Sequence, residues 1–214
     1  MISTVRNKIS IDLYVMIRPR GGDFCYTADE FKIMEQDVAT AKQLGADGVV
    51  FGILQEDGNV DLARSRRLVQ AARPMKATFH RAFDMSRELF PSLECVIQAG
   101  ADRILTSGGE PKAEDAIVAI AQIVRAAGQR IAIMACGGIM ESNVGRVLSE
   151  TGVREIHSSA RAHAPSRMQH RNDKIAMGTV KGHEYERMVV VEEKVRRLLN
   201  AAAHGVCHGN KAGH

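Results

Sequence analysis

One phrase recurs in this chain and limits what it can become. It reads Gly45-Ala46-Asp47-Gly48-Val49-Val50, then Gly100-Ala101-Asp102-Arg103-Ile104-Leu105, then Gly152-Val153-Arg154-Glu155-Ile156-His157. Each copy has the form of a helix terminator and a tight turn into a buried strand. Glycine takes the left-handed conformation in which helices end, and the β-branched residues that follow favour extended chain. Between the copies, Lys76–His80 and Arg130–Ala135 are also strand-like, so each repeat spans two βα units. Strand alternating with helix predicts right-handed crossovers and a parallel sheet.

The segments between strands agree. Thr27-Ala28-Asp29-Glu30 is a capping box, followed by Phe31, Met34, Val38, Ala41 and Leu44 at the spacing of one apolar helical stripe. Asp61 caps a helix through Ala72, and further helices are predicted over Ser86–Gln98, Lys112–Ala127 and Glu141–Glu150. Ala162–Gly182, rich in Arg, His and Gly, reads as a long functional loop or partly ordered segment that could fold over a barrel mouth. Glu184–Ala203 reads as a terminal helix and residues 204–214 as a disordered tail, leaving 1–203 as a single domain.

Every predicted strand breaks off into polar residues. Ile11–Ile17 runs into Arg18-Pro19-Arg20-Gly21-Gly22-Asp23, and Ala77–Phe79 into His80-Arg81-Ala82-Phe83-Asp84. Later strands run into Thr106-Ser107-Gly108-Gly109, Cys136-Gly137-Gly138 and His157-Ser158-Ser159. In a parallel sheet these endings share one edge, where α/β proteins bind ligands. Polar residues after almost every strand favour a (βα) barrel over an open sheet, although six strands fall short of the usual eight.

Composition narrows the function. With 29 basic and 25 acidic residues the net charge is only +4, and aromatics are 4% of the chain, so the basic, stacking surface of a nucleic-acid binder is not expected. The N-terminal residues lack the apolar core of a secretory signal, and no apolar run approaches a membrane span. Cys25, Cys95, Cys136 and Cys207 form no C-x-x-C pair, which suggests reduced thiols in the cytosol.

Several strand-end residues carry chemistry. Arg18 and Arg20, held extended by Pro19 and turned towards Asp23, suit a carboxylate or phosphate, or else form an Arg–Asp network that closes the mouth. His80 beside Arg81 and Asp84 has the makings of a proton-transfer group with an orienting carboxylate; a His that ties two loops is the alternative. Thr106, Ser107, Gly137, Gly138, His157, Ser158 and Ser159 lie in Gly/Ser loops whose backbone N–H groups could converge on an anion, unless the glycines merely permit tight turns. Arg196-Arg197 reads as a solvated face.

The ordered set Ile17-Arg18-Pro19-Arg20-Gly21-Gly22-Asp23-Phe24, Thr78-Phe79-His80-Arg81-Ala82-Phe83-Asp84, Leu105-Thr106-Ser107-Gly108 and His157-Ser158-Ser159-Ala160 closely resembles the CutC copper-homeostasis family. The resemblance implies a TIM-like barrel, a role in copper handling with copper(I) as the bound ion, a homo-oligomer, and a cytoplasmic location with the nucleus as a further one. By that register the six strands match family strands three to eight, and two N-terminal βα units with their cysteines have no counterpart. Cys136 stands where relatives usually have Gly. An incomplete barrel should expose two long edges near Leu13–Ile17 and Arg154–Ser158, which another copy or another chain would have to cover.

Copper(I) prefers thiolate and thioether ligands. Cys25 and Cys136 are the candidates, set too far round the barrel to share one ion, and for each alone a buried or reactive non-ligand thiol is the favoured account. Three functions follow: a copper(I)-handling protein, a barrel enzyme acting on a small anionic or phosphorylated substrate with no reaction assignable, and a non-catalytic interaction protein using the exposed edges. In the second, Arg18, Arg20 and the Gly/Ser loops hold the anion and His80 moves a proton.

Overall fold

The computed structural model describes residues 1–172, 174–175 and 184–209. After a short helix α1 (Ile2–Arg6) come six parallel strands, β1 (Tyr14–Met16), β2 (Gly48–Phe51), β3 (Lys76–Phe79), β4 (Arg103–Thr106), β5 (Ala132–Ala135) and β6 (Glu155–Ile156). Helices α2 (Ala28–Gln43), α3 (Leu62–Ala72), α4 (Leu89–Ala99), α5 (Ile117–Ala127) and α6 (Val144–Thr151) connect them. Each strand pairs with the next in sequence order. That winding builds a barrel wall, with no reversal of strand order such as an open doubly wound sheet needs. The result is a curled half-barrel of six strands, as the strand count anticipated.

Local sequence explains the elements. The Thr27 hydroxyl accepts from the Glu30 amide while the Glu30 carboxylate accepts from the Thr27 amide, and Asp61 caps α3 through the Arg64 amide. Gly45, Gly100 and Gly152 all lie in the left-handed region, with φ of 80°, 84° and 75°. Side chains alternate across the strands. Val49, Phe51, Ala77, Phe79, Ile104 and Ala135 point to the helices and are fully buried, whereas Met16, Val50 and Met134 on the inner face keep exposure to solvent.

The recurring phrase has a further use that the glycines did not reveal. The Asp47 carboxylate accepts from the Leu13 amide at 2.7 Å and from Arg6; Asp102 accepts from the Ala77 amide at 2.8 Å and from Arg73 at 2.8 Å. Each aspartate thus satisfies an N–H of the neighbouring strand at the foot of the sheet, where the ladder has ended. The third copy carries Arg154 instead.

The inner face has its own tie. Arg103 on β4 donates through Nε and Nη2 to both carboxylate oxygens of Glu155 on β6, and its guanidinium lies 5.0 Å from the Tyr14 ring on β1. One side chain therefore touches both edge strands. Gly48 makes this packing possible, since a Cβ there would lie 2.2 Å from the Tyr14 ring. The expected long free edges are accordingly short: β1 has three residues and β6 two.

Two expectations are corrected. The segment after β6 is not a loop throughout: β7 (Arg161–Pro165) and β8 (Glu186–Val190) form an antiparallel hairpin, with 173 and 176–183 outside the described residues. Neither strand holds a fully buried residue, and β7 ends in Pro165, so neither carried the apolar run that marks a strand in the sequence. The last helix, α7 (Glu192–Gly209), starts later than Glu184 because β8 takes residues 186–190, and it runs past Ala203. Of the predicted tail, 204–209 fall in α7 and 210–214 lie outside the described residues.

Replacing Asp102 with Ala strands the Ala77 amide, so urea denaturation should show a loss of about 2 kcal/mol. Arg154→Ala, at the corresponding position of the third copy, should stay within about 0.5 kcal/mol of the parent. Equal losses at both positions would remove the role given to the aspartate.

Candidate functional site

Inner-face alternation carries past the ends of the strands and brings Arg18, His80, Cys136 and His157 to the C-terminal edge of the sheet. There they line a cavity of about 1200 Å³, with Met16 and Leu105 below them. Gly137, Gly138, Ser158, Ser159 and Ala160 also line it. Helix α7 closes one side with Lys194, Arg197, Leu198 and Ala201, a three- and four-residue spacing that puts all four on one helical face. Arg161 at the start of the hairpin completes the rim.

The predicted site residues separate into two groups. Arg18, His80, Arg81, Cys136, Gly137, Gly138, His157, Ser158 and Ser159 share the cavity. Arg20, Asp23, Cys25, Asp84, Thr106 and Ser107 are not among its lining residues. Arg20 donates to Glu30 at 2.6 Å, to the Asp23 carboxylate at 2.9 Å, and to the carbonyls of Gly21, Asp23 and Cys25. All five of its N–H groups are engaged, and the guanidinium holds the Asp23 carboxyl below its usual range. Arg20 and Asp23 thus form an Arg–Asp network that ties their own turn to the start of α2, with Cys25 half-buried inside the same turn.

Asp84 is likewise occupied. It accepts from Arg81 Nε, the Thr106 hydroxyl, the Ser107 amide and hydroxyl, and the Gly109 amide, with its side chain 5% exposed. It therefore binds the loop after β3 to the loop after β4 and makes no hydrogen bond to His80, so the expected orienting role is not what the structure shows. Thr106 and Ser107 are wholly buried members of that knot.

The cavity groups have capacity to spare. Among the described residues no protein acceptor takes the backbone N–H of Gly137, Gly138, Ser158, Ser159 or Ala160. Arg18 makes one hydrogen bond, to the Gly22 carbonyl at 2.8 Å, and lies 4.7 Å from the Phe24 ring. His80 is 4% exposed, its Nδ1 accepts from the Ala82 amide at 3.1 Å, and its Nε2 has no partner among the described residues. Sequence reasoning did not select Lys194 or Arg161 and read Arg197 only as part of a solvated face, whereas the half-exposed Arg197 also lines the cavity; the helical spacing of Lys194, Arg197 and Ala201 was the available signal.

Cys136 is 1% exposed, and burial, reinforced by the Asp84 charge, pushes its thiol up to about 12. No group of three or more His, Cys, Asp or Glu side chains among the described residues could hold a metal ion. Partial desolvation and the Arg161 charge lower the pKa of His157. Burial, with a smaller effect of Arg18, lowers His80 to about 4, so its ring is neutral at pH 7.

The last shift has a thermodynamic consequence. In the unfolded chain His80 protonates near its ordinary value of 6.5, so the unfolded state binds more protons than the folded one between pH 6.5 and 4. Stability must fall with pH through that window, by roughly 3 kcal/mol from this group alone. Denaturation of His80→Phe, compared with the parent across pH 4–7, should show that much less acid sensitivity. Parallel curves would contradict a buried neutral imidazole.

Comparison with known proteins agrees with this architecture. The CutC family model matches residues 1–162. A family protein CutC from Parabacteroides distasonis is 46% identical over 190 residues, 88% of this chain and 78% of that protein. The copper homeostasis protein cutC homolog of Mus musculus is 41% identical over 206 residues, 96% of this chain and 76% of the mouse protein. Among solved structures, CutC from Streptococcus agalactiae superposes with a TM-score of 0.69 at 35% identity, over 73% of this chain and 78% of that one. An aldolase, QR15, shares the fold alone, at a TM-score of 0.55 and 17% identity over 72% of each chain. The chain belongs to the CutC family.

Proposed function

We propose that this CutC-family protein binds a small anionic ligand in the mouth of its half-barrel. One observation carries the reading: five cationic side chains line the cavity, and although Arg81 is paired with Asp84 and Arg197 with Glu141 and Glu193, Arg18, Arg161 and Lys194 have no carboxylate partner among the described residues. Glu141 lies 3.5 Å from Arg197. Cations gathered in a concave site raise the local concentration of anions, and unpaired backbone N–H groups give such a ligand directional donors. The apolar side chains of Met16, Phe24, Leu105 and Leu198 in the lining lower the local polarity around those donors.

Calorimetric titration with inorganic phosphate tests this. Binding should weaken at least tenfold when Arg161 and Lys194 are both replaced by Ala, and should fall as salt is raised. Arg20→Ala should leave the phosphate affinity within a factor of two while lowering the thermal midpoint, because Arg20 ties its own turn together. The reading fails if the parent gives no heat with phosphate, or if Arg20→Ala is the variant that loses binding.

A second reading, copper(I) handling, is favoured by the soft donors Met16, Cys136 and Met140 lining the same cavity, and by the copper-homeostasis name of the mouse relative. Copper(I) would be cargo here, and it would have to displace the proton of a thiol held at about 12, so affinity should drop as pH falls. Titration against a competing copper(I) chelator should show stoichiometric binding that Cys136→Ser removes and Cys25→Ser leaves intact. Identical curves for parent and Cys136→Ser would reject it.

A further inference from the structure

We propose that His80 is a fixed hydrogen-bond donor inside the cavity, presenting Nε2–H to an oxygen of a bound oxyanion; the proposal rests on the anionic-ligand reading above. A neutral imidazole carries one proton, and the Ala82 amide donates to Nδ1 at 3.1 Å. Nδ1 is therefore the acceptor nitrogen, and the proton sits on Nε2. Turning the ring over would set a carbon against the Ala82 amide and lose that bond. Both the tautomer and the ring orientation are held by one backbone N–H.

The neighbouring strand is shaped for this ring. A Cβ at Gly52 would lie 2.5 Å from His80 Nδ1 and 2.6 Å from Cε1, so only glycine at that inner-face position lets the imidazole lie against β2. On another side the Phe24 ring packs at 4.9 Å between centroids. The held ring ends in a buried Nε2 with no partner in the described protein, and His80 lines the cavity. Native proteins seldom keep a buried donor unmet without a ligand or a role for it.

This placement also says what His80 is not. With its proton on Nε2 and Nδ1 engaged, neither nitrogen is a free lone pair, so the ring neither ligates a metal nor takes a proton from a ligand. It supplies a neutral donor, and an oxygen acceptor such as a phosphoryl or carboxylate oxygen is the group that matches it.

The test uses the whole chain, ¹⁵N-labelled at histidine, with inorganic phosphate as probe. Long-range ¹H–¹⁵N correlation should show His80 as the Nε2–H tautomer before ligand is added, and its Nε2–H resonance should move downfield in step with saturation. His80→Phe keeps a ring in the Gly52 hollow and removes the donor; it should raise the phosphate Kd about tenfold. If the parent binds phosphate while the His80 resonances stay still, or if the ring is the Nδ1–H tautomer, the donor role is overturned and the anionic-ligand reading survives. If the parent binds no phosphate at all, both fall. The resonance measurement needs no substitution, so a variant that failed to fold would not block the answer.

Discussion

The guanidinium of Arg103 holds together what an incomplete barrel would otherwise let apart. It stands on β4, grips Glu155 on β6 with two hydrogen bonds, and lies against the Tyr14 ring on β1. Six parallel strands could as well splay into an open sheet, with their C-terminal ends spread along a line. Curling brings those ends round a common mouth, and the tie across the inner face favours the curled form. Removing one partner of such a half-buried pair leaves the other charge poorly solvated, so the arrangement is both a stabilising contact and a constraint on shape.

What the sequence disclosed follows from how local each signal is. Gly45, Gly100 and Gly152 end helices through their own backbone conformation, and the Thr27 capping box closes within four residues, so both were legible. The roles of Asp47 and Asp102 were not, because their acceptor function depends on amides at Leu13 and Ala77 in a neighbouring strand. Gly48 and Gly52 read as ordinary glycines until the Tyr14 and His80 rings are seen lying over them. The hairpin of β7 and β8 escaped notice because neither strand is fully buried anywhere, so neither carries an apolar run of the kind that marks a strand.

The candidate site shows the same division. The sequence placed the polar residues at strand ends correctly, yet it could not tell a side chain with all its hydrogen bonds made from one with donors to spare. Arg20 and Asp84 looked as chemically able as Arg18 and His80. The structure separates them by saturation: five N–H groups of Arg20 and both oxygens of Asp84 are occupied within the protein, whereas Arg18 makes one hydrogen bond and His80 Nε2 has no partner among the described residues. A group that already holds its own loops together is poorly placed to hold a ligand as well. That physical criterion favours the cavity wall of Gly137, Ser158, Arg161 and α7 over the Arg20 turn as the place of the proposed anion.

The most direct measurement is a crystal structure of the protein grown with inorganic phosphate and with the anion located by its anomalous or difference density. The account predicts one anion in the mouth, against the free N–H groups of Gly137 and Ser159 and within hydrogen-bonding distance of His80 Nε2. An empty mouth with phosphate bound at the Arg20–Asp23 turn would contradict it.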